Sequence, residues 1–383
     1  MNKDKINCII IHSIISPYKT VLFNALKKIE DNNFTFKVLY LAETEKSREW
    51  TIDTDKIKFS YEVLFKGNIN NVNSTKMANE IYKKMNYYNP EVIIVGGYIY
   101  LADWAAFIWA KKHKKKIIVM IESHYLDKPR NLIKEKIKKL FVSKYDAALV
   151  DGTRHKKYAV SLGLKPEKVF IKKGTGPVDA LWYQRKVSKY KKDKKNYCKK
   201  LNIPPQNFIY VGRFSPEKNI LYLLKCFEKF LEEERKNDWG MILVGNGPQR
   251  KEIENFIKER KIKNIFLPGF IQKEELPFYY ALADCFVLPS TSEPWGLVVS
   301  EAMACGLPVL VSNRCGCYPD IVHDGENGFS FDPFEEEELI EFMKNITQGK
   351  YNLESMGKAS LKIIKEFTPD KSAKIIKNAI LSI

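Results

Sequence analysis

Two carboxylates, Glu293 and Glu301, stand eight positions apart in the stretch 290–313, STSEPWGLVVSEAMACGLPVLVSN. The apolar run 285–289 leads in like a buried strand. Residues 297–305 have helical spacing, Gly306 stops them, and 308–312 reads as the next strand. Glu293 is therefore expected on the loop after a strand, and Glu301 about a turn and a half into the following helix. Between them lie the amides of Gly296, Leu297 and Val298, at a helix N-terminus that attracts anions. A phosphate flanked by hydroxyl-binding carboxylates suggests a sugar nucleotide.

Three further stretches carry compatible chemistry. In 211–219, VGRFSPEKN, Gly212 permits close backbone approach, and Arg213 and Lys218 supply two cations of the kind a diphosphate needs. A solvated loop with two ordinary basic residues is the bland alternative. The run 244–248, VGNGP, places Asn246 in a second glycine turn at a strand end. The run 267–270, LPGF, closes a third strand with Gly269, and Phe270 offers either a surface to a nucleobase or packing to the core. Strand ends of one sheet converging on one crevice say more than any single motif.

These residues need a scaffold that presents strand ends. Apolar runs alternate with helical patterns from residue 7 to 172, and again from 208 to 367, so two doubly wound parallel sheets are expected. The boundaries are 1–180 for the first domain, 181–200 for a Lys-rich linker or exposed helix, and 201–367 for the second domain. A last helix, 368–383, completes the first domain. The cleft between two such domains is the default ligand site.

In the second half the motifs accumulate into a family pattern: Gly212-Arg213 with Lys218-Asn219, Gly245-Asn-Gly-Pro248, Pro268-Gly269, Glu293-Pro-Trp-Gly-Leu-Val-Val-Ser-Glu301 and Val322-His-Asp-Gly-Glu-Asn-Gly328. The chain resembles the retaining glycosyltransferases of family 4, and the first half matches more loosely, through 16–26 and 146–179. The resemblance implies the GT-B fold, two Rossmann-like domains facing each other across a cleft. It implies that Arg213 and Lys218 neutralise the donor diphosphate and that Glu301 binds the ribose hydroxyls. Glu293 and the amides of Trp295 to Leu297 would hold the donor sugar. It also implies a UDP- or GDP-sugar donor with no metal and no other cofactor. A histidine of the first domain often stands near the donor sugar in this family. His124, at a strand end, is the candidate, or else it packs against its turn. Glu122, Asp127 and Arg130 share its loop, and with Tyr18 they are the acceptor-side candidates. The expected reaction moves a hexose to a glycan or lipid-linked saccharide in surface polysaccharide assembly. A sugar-nucleotide epimerase of similar architecture and a non-catalytic binding or scaffold protein are the rivals.

Charge is uneven. Residues 1–200 carry 42 Lys+Arg against 20 Asp+Glu, and residues 201–383 carry 22 against 26. The helix expected at 131–143 is amphipathic, with Leu132, Ile133, Ile137, Leu140 and Phe141 on one face, which suits an anionic membrane surface. No groove-reading or base-stacking motif points to nucleic acid. The apolar run 92–110 has the length of a membrane span, but Gly96, Gly97 and Asp103 break it into strand, turn and helix. Seven cysteines, an odd number and mostly in apolar runs, indicate reduced thiols and a cytoplasmic chain, peripheral on the inner face of the membrane at most. Cys315-Gly-Cys317 has no second pair at metal-binding spacing.

Overall fold

The computed structural model describes residues 5–46, 52–174, 178–234 and 238–383. In chain order the elements are β1 (Ile6–Ile14), α1 (Pro17–Lys28), β2 (Phe34–Thr44), β3 (Tyr61–Asn68), α2 (Ser74–Tyr88), β4 (Val92–Val95), α3 (Leu101–Lys112), β5 (Lys116–Ile121), α4 (Leu132–Val142), β6 (Ala147–Val150), α5 (Thr153–Ser161) and β7 (Val169–Ile171). There follow α6 (Ala180–Lys191), α7 (Lys194–Lys200), β8 (Gln206–Val211), α8 (Ile220–Glu234), β9 (Trp239–Val244), α9 (Arg250–Arg260), β10 (Ile265–Gly269), α10 (Leu276–Ala281) and β11 (Cys285–Leu288). The chain ends with α11 (Leu297–Ala304), β12 (Val309–Ser312), β13 (Gly328–Phe331), α12 (Glu336–Thr347), α13 (Leu353–Ile364) and α14 (Pro369–Leu381).

The chain divides into two compact units. The first comprises 1–125, 129–177 and 369–383, so α14 returns to it, and the second comprises 126–128 and 178–368. Each is built on one parallel sheet. The first sheet runs β3-β2-β1-β4-β5-β6-β7 and the second β10-β9-β8-β11-β12-β13. The central strands are continuous apolar runs, such as Val92-Ile-Ile-Val95, because helices cover both faces and leave no side for polar residues. In both sheets the order reverses beside the first strand, between β1 and β4 and between β8 and β11. In sheets of this kind the loops leaving the two strands diverge at the reversal, and ligands bind at the carboxyl edge there.

The run 92–110 is divided between β4 and α3, and among the described residues no helix is long and apolar enough to cross a membrane. The Lys-rich stretch 181–200 forms most of α6 together with α7. Tyr183, Val187 and Cys198 are buried in the second unit's core, while the lysines are exposed apart from half-buried Lys186 and Lys194, the latter paired with Asp284 at 2.6 Å. All seven cysteines are buried, reduced thiols.

Candidate functional site

In the second unit the site residues are gathered at the β8/β11 reversal. Gly212 follows β8 directly, and its amide donates to the Val244 carbonyl at 3.0 Å. Gly245 donates in turn to the Gly269 carbonyl at 2.8 Å, so the ends of β8, β9 and β10 are tied side by side. Approach here is so close that a β-carbon on Gly245, at φ +144°, would fall 1.8 Å from the Gly212 carbonyl oxygen. Only glycine fits. The Asn246 carbonyl accepts from the Phe214 amide at 2.8 Å, which fixes the loop carrying Arg213 and Lys218.

Arg213 is exposed at the strand end, and Tyr210 Oη donates to its carbonyl at 3.0 Å. Lys218 closes a short 3₁₀ turn and forms an ion pair with the Glu293 carboxylate, which follows β11. Burial opposes the Lys218 ammonium, but Glu293 outweighs it and holds the pKa above the ordinary lysine value. The two sides of the reversal are thereby joined by a cation and an anion 75 residues apart in sequence.

Gly296 sits at φ +99° and caps α11, turning the chain so that Leu297 and Val298 open the helix. Both are half-buried. Trp295 is 2% exposed and its ring lies 6.2 Å from that of Phe367, so its side chain is packed into the unit. Glu301 lies inside the unit. Its carboxylate is buried and accepts from Tyr280 Oη at 3.1 Å. Gly269 ends β10 at φ +90°, and Phe270 beyond it is 41% exposed.

In the first unit, Glu122 follows β5 and bonds to Lys19 on α1 at 2.5 Å, with Lys172 at 3.5 Å. Lys172 follows β7 and pairs with Asp151 after β6, and both are wholly buried. Burial disfavours the Glu122 carboxylate, yet Lys19 and Lys172 prevail and pull its pKa down to about 2. His12, after burial and with Lys19 close by, is lowered to about 4 and is neutral. His124 is buried, its ring edge-on to His155 at 5.1 Å. Arg130 donates to Ser123 Oγ, the His124 carbonyl and Tyr158 Oη, so it braces the loop. Tyr18 is half-buried at the start of α1. Asp127 is buried in the segment 126–128, which groups with the second unit, where Ser292 Oγ donates to its carbonyl.

Sequence reasoning missed Lys19, Asp151 and Lys172. The available signal was position: each is polar, and Asp151 and Lys172 immediately follow an apolar strand, where a parallel sheet presents its carboxyl edge.

Residues 193–362 match the family model described as glycosyl transferases group 1. The sulfoquinovosyl transferase SQD2 of Arabidopsis thaliana is 37% identical over 155 residues, covering 40% of this chain and 28% of that protein. The alpha-monoglucosyldiacylglycerol synthase of Acholeplasma laidlawii is 33% identical over 166 residues, covering 42% of this chain and 39% of that protein. The chain thus spans well under half the length of both. Among solved structures, Anabaena HepE in complex with UDP superposes with a TM-score of 0.76 at 17% identity, over 99% of this chain and 100% of that one. A likeness at that identity speaks for the fold, and it extends over both units. The chain therefore has the GT-B fold, and within its second unit residues 193–362 are similar to the glycosyl transferases group 1 model.

Proposed function

We infer that this chain is a retaining, metal-independent glycosyltransferase of family 4. It would move a hexose from a UDP- or GDP-sugar to a glycan or lipid-linked saccharide of a surface polysaccharide, on the cytoplasmic side of the membrane. The observation that carries the reading is the Lys218–Glu293 pair at the β8/β11 reversal, beside exposed Arg213 and the N-terminus of α11. Arg213, Lys218 and the helix N-terminus supply fixed positive charge for a diphosphate, the role a divalent cation plays elsewhere. Glu293 accepts hydrogen bonds from the sugar hydroxyls once a phosphate takes its place beside Lys218. Glu301 serves the ribose, with Tyr280 holding its carboxylate, and Phe270 offers its face to the base.

In the reaction the bond from the anomeric carbon to the diphosphate oxygen breaks. The acceptor hydroxyl oxygen bonds to the same face of that carbon, and its proton passes to an oxygen of the departing phosphate. Arg213 and Lys218 stabilise the charge that develops there. His124, Glu122, Arg130, Asp127 and Tyr18 form the acceptor side. Solved relatives of the fold bound to UDP and to UDP-glucose support a nucleotide-sugar donor.

The test is thermal stability with UDP-, GDP- and ADP-sugars, followed by product analysis with the stabilising donor. Transfer with retained anomeric configuration, insensitive to chelator, is expected. An epimerised sugar nucleotide formed without acceptor would replace this reading with an epimerase. Nucleotide binding with no turnover on any acceptor would leave a binding protein.

A further inference from the structure

Helix α4 is inverted. Asn131 caps it, its side chain accepting from the amides of Ile133 and Lys134 at 3.0 and 3.1 Å. The side turned to the protein is largely polar. Glu135 accepts from Tyr158 Oη of α5 at 2.8 Å, Lys138 Nζ lies 2.6 Å from Glu135 and 3.3 Å from Tyr158 Oη, and only Val142 is buried. The opposite side carries Ile133, Ile137 and Leu140, at the i, i+4, i+7 spacing of one stripe, with Leu132 beside them. Their exposures are 70%, 55%, 73% and 80%. Ordinary packing would turn this stripe inward.

The apolar surface continues onto α3. Trp104 packs on Phe141 of α4 at 4.3 Å, and Leu101 and Ile108, one turn to either side of Trp104, are 50% and 57% exposed. Lys134, Lys136 and Lys139 are exposed around the stripe. From residue 130 to 144 there are six basic residues and one acid, Glu135, which faces inward.

We propose that this face of the first unit docks on an anionic lipid bilayer, with α4 lying in the plane of the interface. Ile133, Ile137 and Leu140 enter the acyl boundary, and the lysines reach the headgroup phosphates along their apolar stems. Charge selects this occupant over a second copy of the chain, because a symmetric pair would set two lysine rims against each other. A single-helix stripe is also narrow against the ~800 Å² per partner of a stable dimer. The proposal does not depend on the transfer reading, since binding is read directly.

The experiment floats the full chain with vesicles of phosphatidylglycerol and phosphatidylcholine, and with phosphatidylcholine alone, at low and raised salt. Binding to the anionic vesicles that weakens with salt is expected. Ile133→Ser/Leu140→Ser should lower it by about tenfold or more, with an unchanged melting temperature because both side chains are already in solvent. Lys134→Gln/Lys136→Gln/Lys139→Gln, which leaves the apolar stripe intact, should weaken it independently. No flotation with anionic vesicles, or flotation indifferent to both variants, would overturn the proposal. So would a sedimentation profile in which the serine variant dissociates a dimer, since the stripe would then be a subunit interface.

Discussion

Lys218 Nζ and the Glu293 carboxylate meet across the strand-order reversal of the second sheet, one delivered by the loop after β8 and the other by the loop after β11. The pair keeps both charges satisfied in a half-enclosed site. It also places a cation and an anion at one point, and a ligand bringing a phosphate and a hydroxyl would exchange one partner for another without leaving either charge bare.

If the proposed transfer runs at this pair, replacing Lys218 with Met should lower its rate by about 10²- to 10³-fold, the scale on which one charge-stabilising donor acts. Glu293→Gln should raise the donor KM as well, because an amide is a poorer acceptor for hydroxyls than a carboxylate. Steady-state kinetics with the stabilising sugar nucleotide checks both. Wild-type rates in Lys218→Met would remove the diphosphate role.

The buried ionic group of the first unit makes a stability prediction independent of function. Lys172→Met leaves Asp151 without its buried cation and should cost about 3–5 kcal/mol in denaturant unfolding. Adding Asp151→Leu should recover part of that loss, because apolar groups replace the Lys172–Asp151 pair while Glu122 keeps Lys19. A single variant as stable as the double would show that Asp151 finds another partner.

Gly245→Ala tests the close approach of β8 and β9. Its β-carbon would overlap the Gly212 carbonyl oxygen, a backbone atom that cannot rotate aside. A loss of about 2 kcal/mol or more is expected by chemical denaturation, together with weaker nucleotide binding as the Arg213 loop shifts. Retention of both would mean that the strand ends separate freely.

Asp103 supplies a pH prediction. It is 4% exposed near the start of α3, accepts from the Tyr100 amide at 3.3 Å, and burial raises its pKa to about 7. In the unfolded chain it titrates near the ordinary aspartate value of 3.8. Between these values the folded chain holds a proton that the unfolded chain has released. Its contribution is full below about pH 4 and is lost as pH rises through about 7. Asp103→Asn keeps the acceptor and removes the titration. The stability of wild type minus that of the variant should fall across pH 4–7, and a flat difference would contradict the buried neutral acid.

Much of the second unit was legible because its information is local. Gly245, Gly247 and Gly296 punctuate apolar runs, and the interval from Glu293 to Glu301 fits a loop followed by a helix. Period and punctuation are properties of neighbours in sequence. The alternating elements of the first unit were legible for the same reason. Trp295 and Glu301 illustrate the limit, since a residue type within a motif does not say how deeply its side chain is enclosed.

What the sequence determined by itself was the kind of scaffold and the strand ends at which its polar residues would stand. The partnership of Lys218 with Glu293 was decided by tertiary structure, because strand order, not sequence distance, makes β8 and β11 neighbours. The same holds for Lys19, Glu122, Asp151 and Lys172, the first from α1 and the others from the ends of β5, β6 and β7. In α4 the periodicity gave an apolar stripe and a lysine face, but amphipathicity is symmetric with respect to inside and outside. Only the bonds from Glu135 and Lys138 to Tyr158 settled which face the protein keeps and which it offers to its surroundings.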